Sequence, residues 1–283
     1  MHPAVWVLDH LAQHGWRTVD LLAFTRSSTL VLATRGGDEP VVVKAGFGSN
    51  HVLAAMDESD RAAAYGFYWY QQMTPTERGL AREDFRHERD LALDCLGAAH
   101  IVPAIAEGQC PEFDWYAMPH YTDGNLRTLM SDDRAPIQRY MTILADAADG
   151  LDELHRRGIV HRDVYQENVL IDAGRGMITD LGAARRLDTP RGPRSRGPEV
   201  HWPPEYSLGY ATATPAADVF SLAVLAYRVL FGDLPRLCGP RHRPDLPTAL
   251  CEHVTAALAR DPNDRPTMPQ LRAALRAAAT TST

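Results

Sequence analysis

The sequence predicts an α+β fold in two parts, a small antiparallel β-sheet region followed by a larger, mainly helical one. Two observations carry this. Short β-rich runs crowd the first third of the chain, at Thr18 to Phe24, Thr29 to Thr34 and Val41 to Ala45, and the second half holds long apolar patterns at helical spacing.

Taken in order, Val5, Leu8, Leu11 and Ala12 share one helical face, so residues 3 to 14 form a helix capping the small region and ending at Gly15. The two β-rich runs follow, then a Gly36-Gly37-Asp38 turn and the strand ending at Lys44, which together make a meander. Pro136 to Arg157 repeats Ile137, Met141, Leu144, Ala147, Leu151 and Leu154 at helical period, a face that reads as ordinary core. Ala216 to Phe231 reads as a largely buried helix, and Leu246 to Leu258 and Met268 to Ala278 as amphipathic helices.

The 283 residues, 45% of them apolar, suffice for one catalytic unit with ample core. A formal charge of −7 argues against a nucleic-acid partner. The four cysteines, Cys95, Cys110, Cys238 and Cys251, show no metal-binding or disulfide spacing, which suits the reduced cytoplasm. The N-terminus has no signal-peptide pattern, and Val219 to Phe231, the best membrane-span candidate, is too short and contains Arg228.

The chemistry concentrates in Ile159 to Ile171 and Met177 to Gly182. Phosphoryl transfer needs a positioned nucleophile and neutralised phosphate oxygens more than covalent help from the protein. Asp163 is placed to accept or steer the proton of an acceptor hydroxyl. Asn168 and Asp180 offer the hard oxygen ligands that Mg²⁺ prefers.

His161-Arg162-Asp163 with Asn168, followed by Asp180-Leu181-Gly182, resembles the H-R-D-x-x-x-x-N and D-F-G motifs of the eukaryotic-type (Hanks-type) protein kinases, including the bacterial serine/threonine enzymes. Other positions fit that resemblance in order. Val41 to Ala45 looks like the strand whose lysine, Lys44, holds the α- and β-phosphates of ATP. Glu88, ahead of apolar Leu91, Leu96 and Ile101, looks like its helix-borne partner. Pro203-Pro204-Glu205 resembles A-P-E, Asp218 looks like the start of the buried helix that props the catalytic loop, and Arg265 matches the residue that in the family pairs with the glutamate corresponding to Glu205.

The resemblance implies a bilobal kinase-like fold over residues 1–283. The β-sheet lobe with one regulatory helix would span 1–118 and carry an insertion at about 46–82, and the helical lobe would span 119–283. It implies ATP and Mg²⁺ as cofactors and a protein substrate, with serine or threonine preferred over tyrosine as acceptor. Met118 would back the adenine pocket, and the backbone of Pro119 to Tyr121 would meet the adenine edge. Proline has no N–H to give, so Tyr121 is the candidate donor.

The chain also departs from the family pattern. Ala23 to Ser28, where a glycine-rich loop is expected, has no glycine; Ser27 and Ser28 would offer hydroxyls and N–H groups to phosphate instead, unless the stretch is a plain β-turn. Two residues after Asp163 the usual lysine is Tyr165, and the threonine that normally meets it is Pro198. The insertion carries Tyr65-Gly66-Phe67-Tyr68-Trp69-Tyr70, a run that would dock a partner, regulate the Glu88 helix, or pack as local core. Between Asp180 and Glu205 lie Arg185, Arg186, Arg191, Arg194 and Arg196 with Thr189 and Ser195 as acceptors of the chain's own phosphorylation. A phosphate there would bond Arg162, or the arginines select an acidic substrate, or they form a solvated loop. Two rival readings are a pseudokinase scaffold that binds nucleotide without transfer, and a small-molecule kinase of the aminoglycoside-phosphotransferase type.

Overall fold

The computed structural model describes residues 3–24, 28–46, 74–111, 113–132, 134–191, 200–235 and 247–280. The chain divides into two compact units. The first comprises residues 1–97, 102–120 and 181–183, and the second 98–101, 121–180 and 184–283.

In the first unit, helix α1 (Pro3–Gln13) precedes a five-stranded antiparallel sheet of β1 (Trp16–Phe24), β2 (Ser28–Arg35), β3 (Val41–Gly46), β4 (Ala106–Gln109) and β5 (Asp114–Pro119), in the order β1-β2-β3-β5-β4. Alternation in the strands sorts the side chains. Val31, Ala33, Val43, Ala45, Trp115 and Ala117 point into one core with Val7 and Leu11 of α1. Lys44 and Tyr116 lie directly opposite one another in the β3–β5 ladder, one position out of phase with that core.

Helix α2 (Pro75–Asp94) starts where its sequence sets it. Thr74 accepts from the Glu77 amide at 3.3 Å, Glu77 accepts from the Thr74 amide at 2.7 Å, and Pro75 takes the first helical position, where a missing N–H costs nothing. Residues 75–82, expected to belong to the insertion, are therefore the first turns of the Glu88 helix, because the capping box fixes the start at Thr74. Leu96, expected among the apolar positions behind Glu88, is 64% exposed: α2 ends at Asp94, and past the buried cap residue Cys95 the chain turns out to solvent.

The second unit is mainly helical. It contains α3 (Leu126–Met130), α4 (Ile137–Arg156), α5 (Tyr206–Gly209), α6 (Pro215–Phe231), α7 (Thr248–Ala257) and α8 (Met268–Thr280). Its strands are short: β6 (Ile159–Val160) pairs with β9 (Arg185–Arg186), and β7 (Val169–Asp172) forms a hairpin with β8 (Arg175–Ile178). The apolar period of α4 is core, as expected, with Met141, Leu144, Ala147, Leu151 and Leu154 all buried. Across that core, α8 is tied to α4 by Arg272 and Arg276, which reach Asp149 at 2.6 and 2.8 Å.

The α+β architecture read from the sequence holds, with the sheet in the N-terminal part and the helices in the C-terminal part. The division is less simple than one cut after residue 118. Residues 98–101 join the helical unit because Ile101 bridges Ile178 and the Ile178 amide donates to the His100 carbonyl at 2.9 Å. Residues 181–183 form a 3₁₀ turn that packs on α2.

Candidate active site

In the first unit the strand lysine and the helix glutamate meet. Lys44 Nζ donates to Glu88 Oε1 at 2.6 Å, and the Tyr116 hydroxyl donates to the same oxygen at 2.7 Å. Both charged residues are buried, so the pair is screened far less than an exposed one. A second charge cluster docks the same helix on the sheet. Asp114, fully buried at the start of β5, accepts from Arg82 Nη2 and from Arg86 Nε, each at 2.7 Å. Helix α2 is thus held at two points by residues of β5, and Glu88 stays on Lys44. Neither Tyr116 nor Asp114 was singled out in the sequence, where one reads as a core aromatic and the other as an ordinary acid.

Ser28 opens β2 as a buried strand residue, 4% exposed. Ser27 lies outside the described residues. Met118 and Pro119 end β5 opposite Val42 and Val41. Tyr121 belongs to the second unit, where burial pushes its phenol above the ordinary value and the nearby Asp172 adds to the effect.

The second unit holds the catalytic-loop candidates. Asp218, in the first turn of α6 and fully buried, accepts from the backbone N–H of His161 (2.9 Å) and of Arg162 (2.8 Å), and its Oδ2 lies 2.8 Å from His155 Nε2. Burial alone would push its carboxyl up. The hydrogen bond and charge of His155, with His161 and the Arg162 amide, outweigh burial and hold it below the usual carboxylate range. This anchoring keeps Arg162 in the left-handed region at φ +68°. The His161 ring spans the loop, accepting from the Asp163 amide at Nδ1 (3.2 Å) and donating from Nε2 to the Thr179 carbonyl (2.9 Å).

Asp163 itself is 29% exposed at its side chain. Asn168 Nδ2 donates to the Asp163 carbonyl at 2.9 Å and approaches its Oδ2 at 3.4 Å, which leaves the amide oxygen of Asn168 to serve as a ligand. The β7–β8 hairpin pairs Val169 with Ile178, and the Thr179 amide donates to the Asn168 carbonyl at 3.1 Å. Asn168 and Asp180 therefore flank the open end of one hairpin. An amide oxygen and a carboxylate are the hard oxygen donors that Mg²⁺ prefers.

Two further contacts bear on the loop. His201 Nε2 lies 3.4 Å from Asp163 Oδ1, and its ring stacks on Tyr165 with centroids 5.1 Å apart and planes 18° from parallel. His201 was missed in the sequence because nothing in its neighbourhood signals a partner 38 positions away. Arg265, expected to pair with Glu205, does so through both nitrogens at 2.7 and 2.8 Å.

The arginines after Asp180 differ from expectation. Arg185 is buried and donates to the carbonyls of Ala213, Leu187 and Thr189, so it is neither solvated nor available to an acidic substrate. Arg162, expected to receive a phosphate, is fully buried; its Nη1 donates to the carbonyls of Arg191 (2.7 Å) and Tyr210 (2.9 Å), and its guanidinium lies 4.3 Å over the Tyr210 ring. Thr189 is exposed. Ser195, Arg194, Arg196, Pro198 and the 65–70 aromatic run lie outside the described residues.

Comparison with known proteins adds an independent line. The protein kinase domain family matches residues 77–274, a span that includes Glu88, Asp163, Asn168 and Asp180 and leaves Lys44 to be judged by its geometry alone. The human serine/threonine-protein kinase MRCK gamma is 30% identical over 209 residues, covering 69% of this chain and 13% of that protein. Serine/threonine-protein kinase PkaB of Streptomyces coelicolor is 34% identical over 180 residues, 54% of this chain and 42% of that protein. The probable serine/threonine-protein kinase pknA2 of Bifidobacterium longum is 31% identical over 158 residues, 54% of this chain and 21% of that protein. The chain thus spans less than half the length of these curated relatives.

Proposed function

This chain belongs to the protein kinase family, and from that premise we propose that it transfers the γ-phosphoryl group of ATP to a serine or threonine hydroxyl of a protein. The family uses ATP with Mg²⁺ and acts on protein substrates. The observation that carries the reading is the catalytic loop. A partly exposed Asp163 carboxylate stands on a backbone pinned by buried Asp218 and is hydrogen-bonded to Asn168, which leads into the hairpin that Asp180 follows.

Each residue has a role that its surroundings support. Asp163 orients the acceptor hydroxyl and takes its proton. Lys44, held by Glu88, donates to the α- and β-phosphates. The Asn168 amide oxygen and the Asp180 carboxylate hold Mg²⁺, which when bound supplies positive charge to the phosphate oxygens. Met118 and the backbone of Pro119 to Tyr121 receive the adenine. Glu205 with Arg265 fixes the end of the substrate-binding segment, which supports a protein substrate over a small sugar or antibiotic. The five residues a phosphotransferase needs are all present, which speaks against a scaffold without transfer.

Thr189, exposed and within the same segment, is the site we propose for autophosphorylation. Among the described residues no helix is long and apolar enough to cross a membrane. Cys95, Cys110 and Cys251 are buried as thiols, which supports a reduced, cytoplasmic setting.

The test is phosphoryl transfer from radiolabelled ATP with Mg²⁺ to the chain itself and to a generic protein substrate, beside Asp163→Ala. Label that is absent from the Asp163→Ala sample, mapped by mass spectrometry to serine or threonine, is the expected result. Nucleotide-dependent thermal stabilisation with no label would overturn the reading, and label on tyrosine would overturn its acceptor.

A further inference from the structure

We propose that His201 is a positioning residue for Asp163, holding the carboxylate in its reactive orientation with a hydrogen bond from Nε2 while stacked on Tyr165. The inference rests on the kinase reading above and assigns to that site a residue outside its recognised motifs.

The argument starts from the torsion of the carboxylate. The terminal torsion of an aspartate is broad and two-fold, so the side chain does not fix its own oxygens. Precision at a reacting group has to come from neighbours. Asn168 Nδ2 reaches Oδ2 at 3.4 Å on one side, and His201 Nε2 reaches Oδ1 at 3.4 Å on the other. One donor beside each oxygen, at the long end of hydrogen-bond range, restricts the rotation and leaves each oxygen lone-pair capacity for an acceptor hydroxyl.

His201 is itself held at three points, two on the ring and one on the backbone. Its face lies on Tyr165, its edge meets Trp202 at 6.3 Å and 77°, and its backbone carbonyl accepts from Ser221 Oγ at 2.7 Å. Trp202 packs in turn on Tyr206 and Tyr210, at 5.8 and 5.7 Å. The residue is 9% exposed, so water competes little for its N–H. Tyr165 occupies the position two after the aspartate, and a lysine there would have no ring for the imidazole to stack on. The pair Tyr165 and His201 therefore works as one device, an aromatic platform carrying a hydrogen-bond donor to Asp163.

The test compares substitutions that separate the ring from the donor. His201→Phe keeps the stack and loses the donor; His201→Gln keeps a donor at the Nε2 position and loses the ring. We expect kcat for phosphoryl transfer to fall about tenfold or more in the Phe variant with KM for ATP unchanged within about twofold, and to recover to within about threefold of wild type in the Gln variant. A packing role gives the reverse order, with Phe close to wild type and Gln impaired, and that order would overturn the assignment. Should the Phe variant fail to fold by thermal melting, His201→Asn replaces it, since the shorter amide stops short of Asp163; an Asn variant as active as Gln overturns the assignment equally. Absence of transfer by the wild-type chain sinks both this inference and the kinase reading, whereas an active wild type with an unaffected Phe variant sinks this inference alone.

Discussion

Replacing Asp218 with asparagine should unfasten the catalytic loop while changing the side chain's volume hardly at all. Both carboxylate oxygens are in use: Oδ1 accepts from the Arg162 amide at 2.8 Å, and Oδ2 accepts from the His161 amide at 2.9 Å and lies 2.8 Å from His155 Nε2. An asparagine has one oxygen, so whichever way its amide turns, the NH₂ group faces a backbone N–H. One buried donor is left without an acceptor, which costs about 1–3 kcal/mol. The remaining bonds lose the ionised acceptor that made them roughly twice as strong, a further loss of about 1 kcal/mol. Arg162 at φ +68° also holds a conformation that costs about 1–2 kcal/mol, and the Asp218 contact is what keeps it there. We expect Asp218→Asn to lower the unfolding free energy by about 3 kcal/mol, read from urea unfolding followed by tryptophan fluorescence. Phosphoryl transfer should fall with it, because Asp163 is the residue that follows the anchored pair. A loss under about 1 kcal/mol would refute the claim that this carboxylate holds the loop.

Three other outcomes follow from the same coordinates. Glu205→Ala strips a carboxylate from the fully buried Arg265 side chain, leaving it the carbonyls of Ala259, Ala216 and Arg260, and should cost about 3 kcal/mol in urea unfolding, whereas Glu205→Ala in an Arg265→Leu background should cost under about 1 kcal/mol. Gly150→Ala improves helix propensity by about 1 kcal/mol, yet the new Cβ would stand 2.3 Å from the His100 carbonyl oxygen, so thermal melting should show a net destabilisation of about 1–3 kcal/mol. For Asp149, burial pushes the carboxyl up, but hydrogen bonds from Arg276 and Arg272 outweigh it and leave it below the usual range. A depressed folded-state value means its stabilisation is complete above the unfolded value of about 4 and is lost as pH falls through the folded one. Urea midpoints across pH should therefore show Asp149→Asn less stable than wild type near neutrality, with the gap closing in acid; a constant gap would show that the pairing contributes nothing.

Much of this was legible before any coordinates. The apolar periods of α4, α6 and α8 and the β-rich run ending at Lys44 are local patterns, each decided by residues a few positions apart, whereas the equally local Thr74 capping box was passed over inside the expected insertion. The motif residues were legible for a related reason: phosphoryl transfer restricts which side chains can stand at Asp163, Asn168 and Asp180. The Lys44–Glu88 pair spans 44 positions and was named only because two motifs identified its ends.

Contacts made by side chains of ordinary type escaped. Arg185 read as one of a run of loop charges and Arg162 as a partner for a phosphate, because arginine is rarely buried, and only folding brings enough backbone carbonyls around them to replace water. His201 shows no periodicity and matches no motif, so its approach to Asp163 depends on how residues 200–205 return to the loop. Asp114 with Arg82 and Arg86 is invisible for the same cause. The sequence by itself determined the main elements and the choice of candidate reacting groups, since both depend on short-range pattern and chemical necessity. Tertiary structure alone decided which polar groups hold those reacting groups still, because a hydrogen bond between distant segments exists only where packing has already excluded water and brought donor to acceptor.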